Sequence, residues 1–377
     1  MSEINILNFE EKVQSVSNEA NKKELLIIID ELKRKHYPNV LSKIEKLQQQ
    51  HEVGEELSKT LSLMQAVSHA EIGEFKASRD IIYSLYENAD SSKELLLLGE
   101  LAYMSDYKLA RRILSSAVKV SAEDSQNRIT KARIYLILGE TEEKLQKYKR
   151  AIKYFKNGLE YFNEQEKRDQ YMIFYLHFKI GTLYATINEA DDAIEFLSKT
   201  IELADEHQDS NIKIHSLISL AKTYADKEKS EKVIYYLKDA LHLLGDSPLK
   251  GTYTHAEALT EMGYAYFTQS KYEQAIPYYE QATNLYWNLS NPPMRKLGMI
   301  YMQFSFCLEN QTKQSTSIAG VHYEKAIDCL EKANDEELLE NALADVISFF
   351  ERTNNGRKKR LFENKFVNLT NQKTRNA

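Results

Sequence analysis

The sequence predicts an all-α protein, a right-handed superhelical solenoid of about eight or nine helical hairpins. Three observations predict it. Only 12 Gly and 5 Pro interrupt 377 residues, so few points break a helix. No run of alternating Val, Ile and Thr bounded by Gly-rich turns suggests a sheet. Small residues recur at Gly139, Gly181, Ala221 and Gly263, separated by 42, 40 and 42 residues. The reason for such a period is steric: small residues belong where two helices of a hairpin approach most closely, and bulky ones fill the space beside them.

Taken in order, LLIIIDELKRK and VLSKIEKLQQQ, divided at Tyr37-Pro38, form a first hairpin. Gly73-Glu74-Phe75 with Ser78, Ile82 and Leu85 marks a turn and a second helix, as does Asp106-Tyr107 with Ala110, Leu114 and Ala117. The central copies are clearer. Gly139, Tyr148, Ala151, Phe155 and Gly158 form one, and Gly181, Tyr184, Ala193, Leu197 and Thr200 the next. Ala221, Tyr224, Val233, Leu237 and Ala240 form a weaker one. In the best copy Gly263 and Ala275 are the small pair, Tyr266, Tyr279 and Leu285 fill, and Ser270-Lys271 turns. Ala319, Tyr323 and Ala326 follow an expanded turn at QTKQSTSI, and LLENALADVISFFERT precedes a basic end segment.

The spacing of Gly263, Tyr266, Tyr272, Ala275, Tyr279 and Ala282 resembles the tetratricopeptide repeat. A simple array of that kind repeats every ~34 residues. The additional length here falls in NEQEKRDQ, ADEHQDSN and LGDSPLKGT, read as longer helix ends and polar loops. The expected division is an N-terminal helical bundle or capping hairpin over 1–55, a solenoid over 56–353 and a basic helix or tail over 354–377. No Pro/Gly/Ser-rich linker breaks the array, so one continuous superhelix is expected.

Composition excludes several functions. A net charge of -6 argues against a general nucleic-acid surface. Residues 1–60 carry nine Lys/Arg against eleven Asp/Glu and lack a basic helix-turn-helix. From Arg357 onward seven Lys/Arg face one Glu, which reads as a solvated last helix. No apolar run reaches the ~18–20 residues of a membrane span. The acidic, mixed N-terminus is unlike a signal peptide, so Asn368-Leu369-Thr370 is disregarded as a glycosylation acceptor. Cys307 and Cys329 provide no disulfide framework; buried thiols in a reducing cytoplasm are expected. No phosphate-binding loop, dinucleotide fingerprint, HExxH or CxxC occurs, and neither a cofactor nor a metal is expected.

The tetratricopeptide resemblance implies that the first helix of each pair lines a concave groove. Extrapolating its exposed positions picks out Tyr175, Phe178, Thr182, His215, Lys222, Asp226, Glu257, Tyr264, Phe267, Thr268 and Gln303. Aromatic faces mixed with polar donors and acceptors suit an extended peptide, whose backbone they bond and whose apolar side chains they shelter. Tyr184, Tyr224, Tyr266 and Tyr279 are read instead as structural fillers. His177 and His215 fall on first helices and are read as packed or groove-lining, without chemistry. Gln48-Gln49-Gln50 is read as a polar helix end.

In length, ~40-residue spacing and helical N-terminal segment, the chain resembles peptide-pheromone receptors of Gram-positive bacteria, the Rap/NprR/PlcR-type group. That resemblance implies a short re-imported peptide in the groove and a population shift that alters engagement of a protein partner. Some members bind DNA through a helix-turn-helix absent here. Others use the N-terminal bundle to promote dephosphorylation of a response regulator with a glutamine, which does not map onto Gln48–Gln50 by sequence. The expected function is thus a cytoplasmic, non-enzymatic quorum-sensing regulator that binds a short peptide or protein segment. Nucleic acid and membrane are not expected partners, and a homodimer is compatible with the sequence. The alternatives are a constitutive scaffold without a peptide ligand and a Rap-like response-regulator phosphatase.

Overall fold

In the computed structural model, Phe9 and residues 22–50, 52–123, 128–165, 169–311 and 315–376 are described. Among them are eighteen helices and no strand. The chain divides into two compact units, Met1–Ile187 and Asn188–Ala377.

The first unit contains α1 (Lys22–Lys33), α2 (Tyr37–Gln50), α3 (Glu55–Glu71), α4 (Phe75–Tyr86), α5 (Ser92–Ser105), α6 (Tyr107–Glu123), α7 (Arg128–Lys144), α8 (Tyr148–Asn163) and α9 (Gln170–Thr186). The second contains α10 (Ala190–Glu206), α11 (Ser210–Asp226), α12 (Ser230–Leu244), α13 (Tyr253–Phe267), α14 (Tyr272–Trp287), α15 (Met294–Glu309), α16 (Ser315–Ala333), α17 (Glu336–Arg352) and α18 (Gly356–Asn376). Successive helices within each unit pack as antiparallel hairpins, and first helices of neighbouring hairpins also touch. This is the all-α, tetratricopeptide-like architecture that the period predicts. No helix of the described residues is long and apolar enough to cross a membrane.

The turns explain why the helices end where they do. Gln146 and Ser270 adopt left-handed conformations, with φ of 58° and 57°. The next residue then reaches back five positions: Lys147 N–H donates to the Glu142 carbonyl at 2.8 Å, and Lys271 N–H to that of Tyr266 at 3.0 Å. These bonds satisfy carbonyls that a helix end leaves orphaned. Side-chain caps begin the following helices: Asp209 accepts from Asn211 and Ile212 N–H, and Asp335 from Leu338 N–H. The longer period resides mainly in the helices. Helices α10 and α11 have 17 residues each, and only His207–Asp209 separate them. The turn expected over QTKQSTSI is also shorter than predicted, because α16 already begins at Ser315; residues 312–314 lie outside the described set.

Each unit has its own apolar core, running through α1–α7 in the first and α13–α18 in the second. The small residues sit at the closest helix approaches. A Cβ on Gly139 would lie 2.5 Å from the Phe155 ring, and one on Gly263 would lie 2.8 Å from that of Tyr279. Gly99 and Gly298 occupy the same kind of position against Leu114 and Leu330, and were not singled out by the sequence pattern. Helix propensity alone would favour Gly139→Ala by about 1 kcal/mol. Because Phe155 is fully buried and cannot retreat, overpacking of about 1–3 kcal/mol should dominate. Gly139→Ala is therefore expected to lower the urea unfolding midpoint; a raised midpoint would show that the ring yields.

Among the expected fillers, Tyr184, Tyr224 and Tyr279 are buried. Tyr266 is only half-buried, its ring stacked on Tyr278 at 5.7 Å. Cys307 and Cys329 are both buried and free, and burial pushes the Cys307 thiol up to about 12, far from nucleophilic thiolate character.

Candidate functional site

The residues expected to line the groove fall in both units. Tyr175, Phe178 and Thr182 lie on α9 of the first. All three are half-buried. Tyr175 donates to Glu140 Oε1 at 3.0 Å, and its ring stacks on Tyr171. Burial raises both the Tyr175 hydroxyl and the Glu140 carboxyl above their ordinary values; for Glu140 the Tyr175 bond and Lys179 partly oppose it. Thr182 spends its hydroxyl on the Lys179 carbonyl at 3.0 Å. His177 is similarly satisfied, its Nδ1 lying 2.8 Å from the Ile173 carbonyl.

The second unit holds the denser group, on α11, α13 and α15. One turn of α13 carries Glu257 and Glu261. Lys222 of α11 lies 3.0 Å from Glu257 and 4.0 Å from Glu261, while Lys296 of α15 approaches Glu257 at 3.6 Å. Lys296 also donates to the Tyr253 hydroxyl at 3.2 Å and sits over the Tyr253 and Tyr286 rings. Burial works against the charge on Glu257, but Lys222 and Lys296 outweigh it and hold the carboxyl below its usual range. For Glu261 burial prevails over the same two lysines and raises it, with Glu257 and Asp226 adding to the rise. Burial disfavours the Lys296 ammonium too, yet Glu257 and its two tyrosine neighbours more than offset that, so it stays charged at neutral pH.

Beside this cluster is a cleft of about 510 Å³, lined by Lys222, Glu228, Ser230, Glu261, Tyr264 and Thr268 among others. Tyr264 is 40% exposed and begins an aromatic shelf. Its ring lies parallel to that of Phe267 at 6.3 Å; Phe267 and Tyr272 each meet the exposed Phe306 edge-on, at 5.7 and 5.6 Å. Lys222, Glu257, Tyr264, Phe267 and Thr268 are thus brought to one region. Asp226 is exposed and forms no ion pair among the described residues. His215 is half-buried, and burial lowers its pKa despite the counteracting charge of Glu257. Gln303 has a structural duty: its Oε1 accepts the Tyr279 hydroxyl at 3.0 Å. Thr268 bonds its own helix at the Ala265 carbonyl, 3.2 Å away.

Sequence reasoning missed Glu261, Lys296, Tyr253 and Phe306. A signal existed for the charged pair. Cations and carboxylates on successive first helices pair repeatedly within each unit: Lys59 with Glu94, Glu100 with Arg133, Glu143 with Lys179, and Lys222 with Glu257. Lys296 extends the same pairing to the next first helix, at a longer separation of 39 residues from Glu257.

The architecture defines the class: an all-α protein of tetratricopeptide-like hairpins. The family model described as tetratricopeptide repeat matches residues 256–286, and that described as anaphase-promoting complex subunit 5 matches residues 135–227. No curated protein matches the chain. Among solved structures, the apo form of RapI is similar over 95% of this chain and 99% of its own, at 13% identity and a TM-score of 0.59. The apo quorum sensor NprR from B. thuringiensis is similar over 93% and 99%, at 16% identity and 0.56. Aspartyl phosphate phosphatase F from Bacillus subtilis is similar over 98% and 95%, at 14% identity and 0.56. The chain therefore carries tetratricopeptide repeats and shares the layout of Rap- and NprR-type proteins.

Proposed function

We propose that the protein is a cytoplasmic regulator that binds a short peptide segment on the first-helix face of its second unit and thereby controls a protein partner. The observation that carries this reading is the convergence of the 510 Å³ cleft with the Lys222–Glu257–Lys296 charge cluster and the Tyr264–Phe267–Phe306 shelf. Fixed charges of both signs can hold a peptide's backbone ends or polar side chains, and the shelf offers apolar contact at low entropic cost. Lys222 is exposed at one end of the cluster, so an incoming carboxylate can compete with Glu257 for it. Tyr175, Phe178 and Thr182 belong to the first-helix face of the first unit by repeat position. The similarity to a quorum sensor, NprR, supports the regulatory reading.

Selection from a random peptide library displayed on phage tests it. Enriched peptides should raise the melting temperature of the full chain. Lys222→Ala and Tyr264→Ala should each weaken their binding about tenfold, equivalent to about 1.4 kcal/mol. Peptides that bind both variants as tightly as wild type would place the site elsewhere. Similarity to aspartyl phosphate phosphatase F favours a second reading, and Gln48, Gln49 and Gln50 lie exposed at the end of α2. A phosphorylated response-regulator receiver domain that loses phosphate no faster in the protein's presence would remove that reading.

A further inference from the structure

The first unit carries a second cleft, of about 530 Å³, on the face formed by second helices α4 and α6. Its walls include Arg79, Asp80 and Tyr83 of α4, and Lys108 and Arg112 of α6, with Asp106 at the start of that helix. The two carboxylates leave the three cations poorly neutralised. Asp106 uses Oδ1 to accept from Lys108 and Leu109 N–H at 2.8 and 3.0 Å, capping α6. Its Oδ2 stands 3.9 Å from Arg79 Nη1, and Asp80 lies 3.7 Å from Arg79 Nε, both beyond hydrogen-bonding distance. Arg112 and Lys108 form no ion pair among the described residues. Arg112 is instead held over the rings of Tyr83 and Tyr86, at 5.7 and 5.8 Å, and Tyr86 is fixed by a 2.8 Å bond to Ser116.

An arginine pre-positioned on aromatic rings with its fork free is an efficient carboxylate receptor, since little rotamer freedom remains to be lost. The cations are also distributed: Lys108 and Arg112 are one turn apart on α6, and Arg79 projects from the other helix. Several carboxylates along an extended chain match this spread better than one compact anion. The opposite face of the unit favours no such ligand, because Glu100, Glu140 and Glu143 crowd it.

We infer that the cleft between α4 and α6 is a docking site for an acidic segment of a protein partner, held by Arg79, Lys108 and Arg112 against the Tyr83 ring. It is separate from the proposed peptide site and stands or falls independently of it.

Fluorescence anisotropy with a labelled hexaglutamate peptide and the full chain tests this. Binding at low ionic strength should weaken steeply with added salt. Arg112→Gln and Arg79→Gln should each weaken it at least about fivefold, about 1 kcal/mol. Arg128→Gln, which alters an exposed arginine paired with Glu164 elsewhere in the unit, should leave it unchanged. Lys108→Gln reads the same cleft through an exposed side chain if either arginine variant melts early. Three results would overturn the proposal: no hexaglutamate binding by wild type, equal weakening by Arg128→Gln, or displacement by inorganic phosphate at concentrations below that of the peptide.

Discussion

Tyr279→Ala should cost the protein about 3–5 kcal/mol, the range for deleting a fully buried aromatic side chain. Tyr279 has 0% exposure and fills the space left by Gly263 across the α13–α14 hairpin. It also packs on Phe304 and anchors Gln303, so the truncation opens a cavity touching three helices of the second unit. Tyr279→Phe keeps the ring and removes only the hydroxyl. Gln303 is half-buried, and water can replace the lost donor, so that variant should lose about 1 kcal/mol or less. Equilibrium urea unfolding of both proteins separates the contributions. Equal losses would mean that the Gln303 bond, rather than ring packing, determines the stability of this hairpin.

That pairing of Gly263 with Tyr279 also explains why the fold was legible. A glycine placed opposite a buried ring has few substitutes, as at Gly139 against Phe155 and Gly263 against Tyr279, and small residues recur near every 40 residues in the sequence. Gly99 and Gly298 play the same part against Leu114 and Leu330, although the repeat copies read from the sequence do not include them. The boundary between the two compact units falls at Ile187/Asn188 without any Pro/Gly run. Local composition therefore could not reveal it.

The candidate site was legible in its faces and much less so in its partners. Repeat position places Lys222, Glu257 and Tyr264 on first helices, as a 3.6-residue period allows. It does not reveal that Gln303 turns to Tyr279, since that bond depends on which side chain rises from the neighbouring hairpin. Nor does it disclose that the cluster carries two carboxylates and two lysines in mutual reach. Those charges compensate one another across three helices, so a ligand that draws Lys222 away from Glu257 changes what α13 and α15 hold between them. Under the proposed function, this would couple a bound peptide to the packing of successive hairpins.

Acid should destabilise the second unit through His322. The ring lies on α16, 5.5 Å from that of Tyr301 and 4.5 Å from that of Phe304; its Nδ1 has no hydrogen-bond partner among the described residues. Burial, assisted by the nearby Lys325 charge, lowers its pKa from 6.5 to about 4. Above pH 6.5 the imidazole is neutral whether the chain is folded or not, so it contributes no slope. Below that value the unfolded chain takes up a proton that the folded one refuses, and stability falls until about pH 4. A shift of this size corresponds to about 3 kcal/mol lost across the window. Glu100, Glu140 and Glu261, whose pKa values are raised, contribute with the opposite sign, so the total slope does not isolate the histidine. The difference from His322→Phe does, because that variant keeps an aromatic ring against Tyr301 and Phe304 but cannot titrate. Urea unfolding free energies measured from pH 7 to pH 4 should show wild type losing about 3 kcal/mol more than His322→Phe. Parallel curves for the two proteins would mean that the imidazole reaches solvent and protonates without penalty in the folded state.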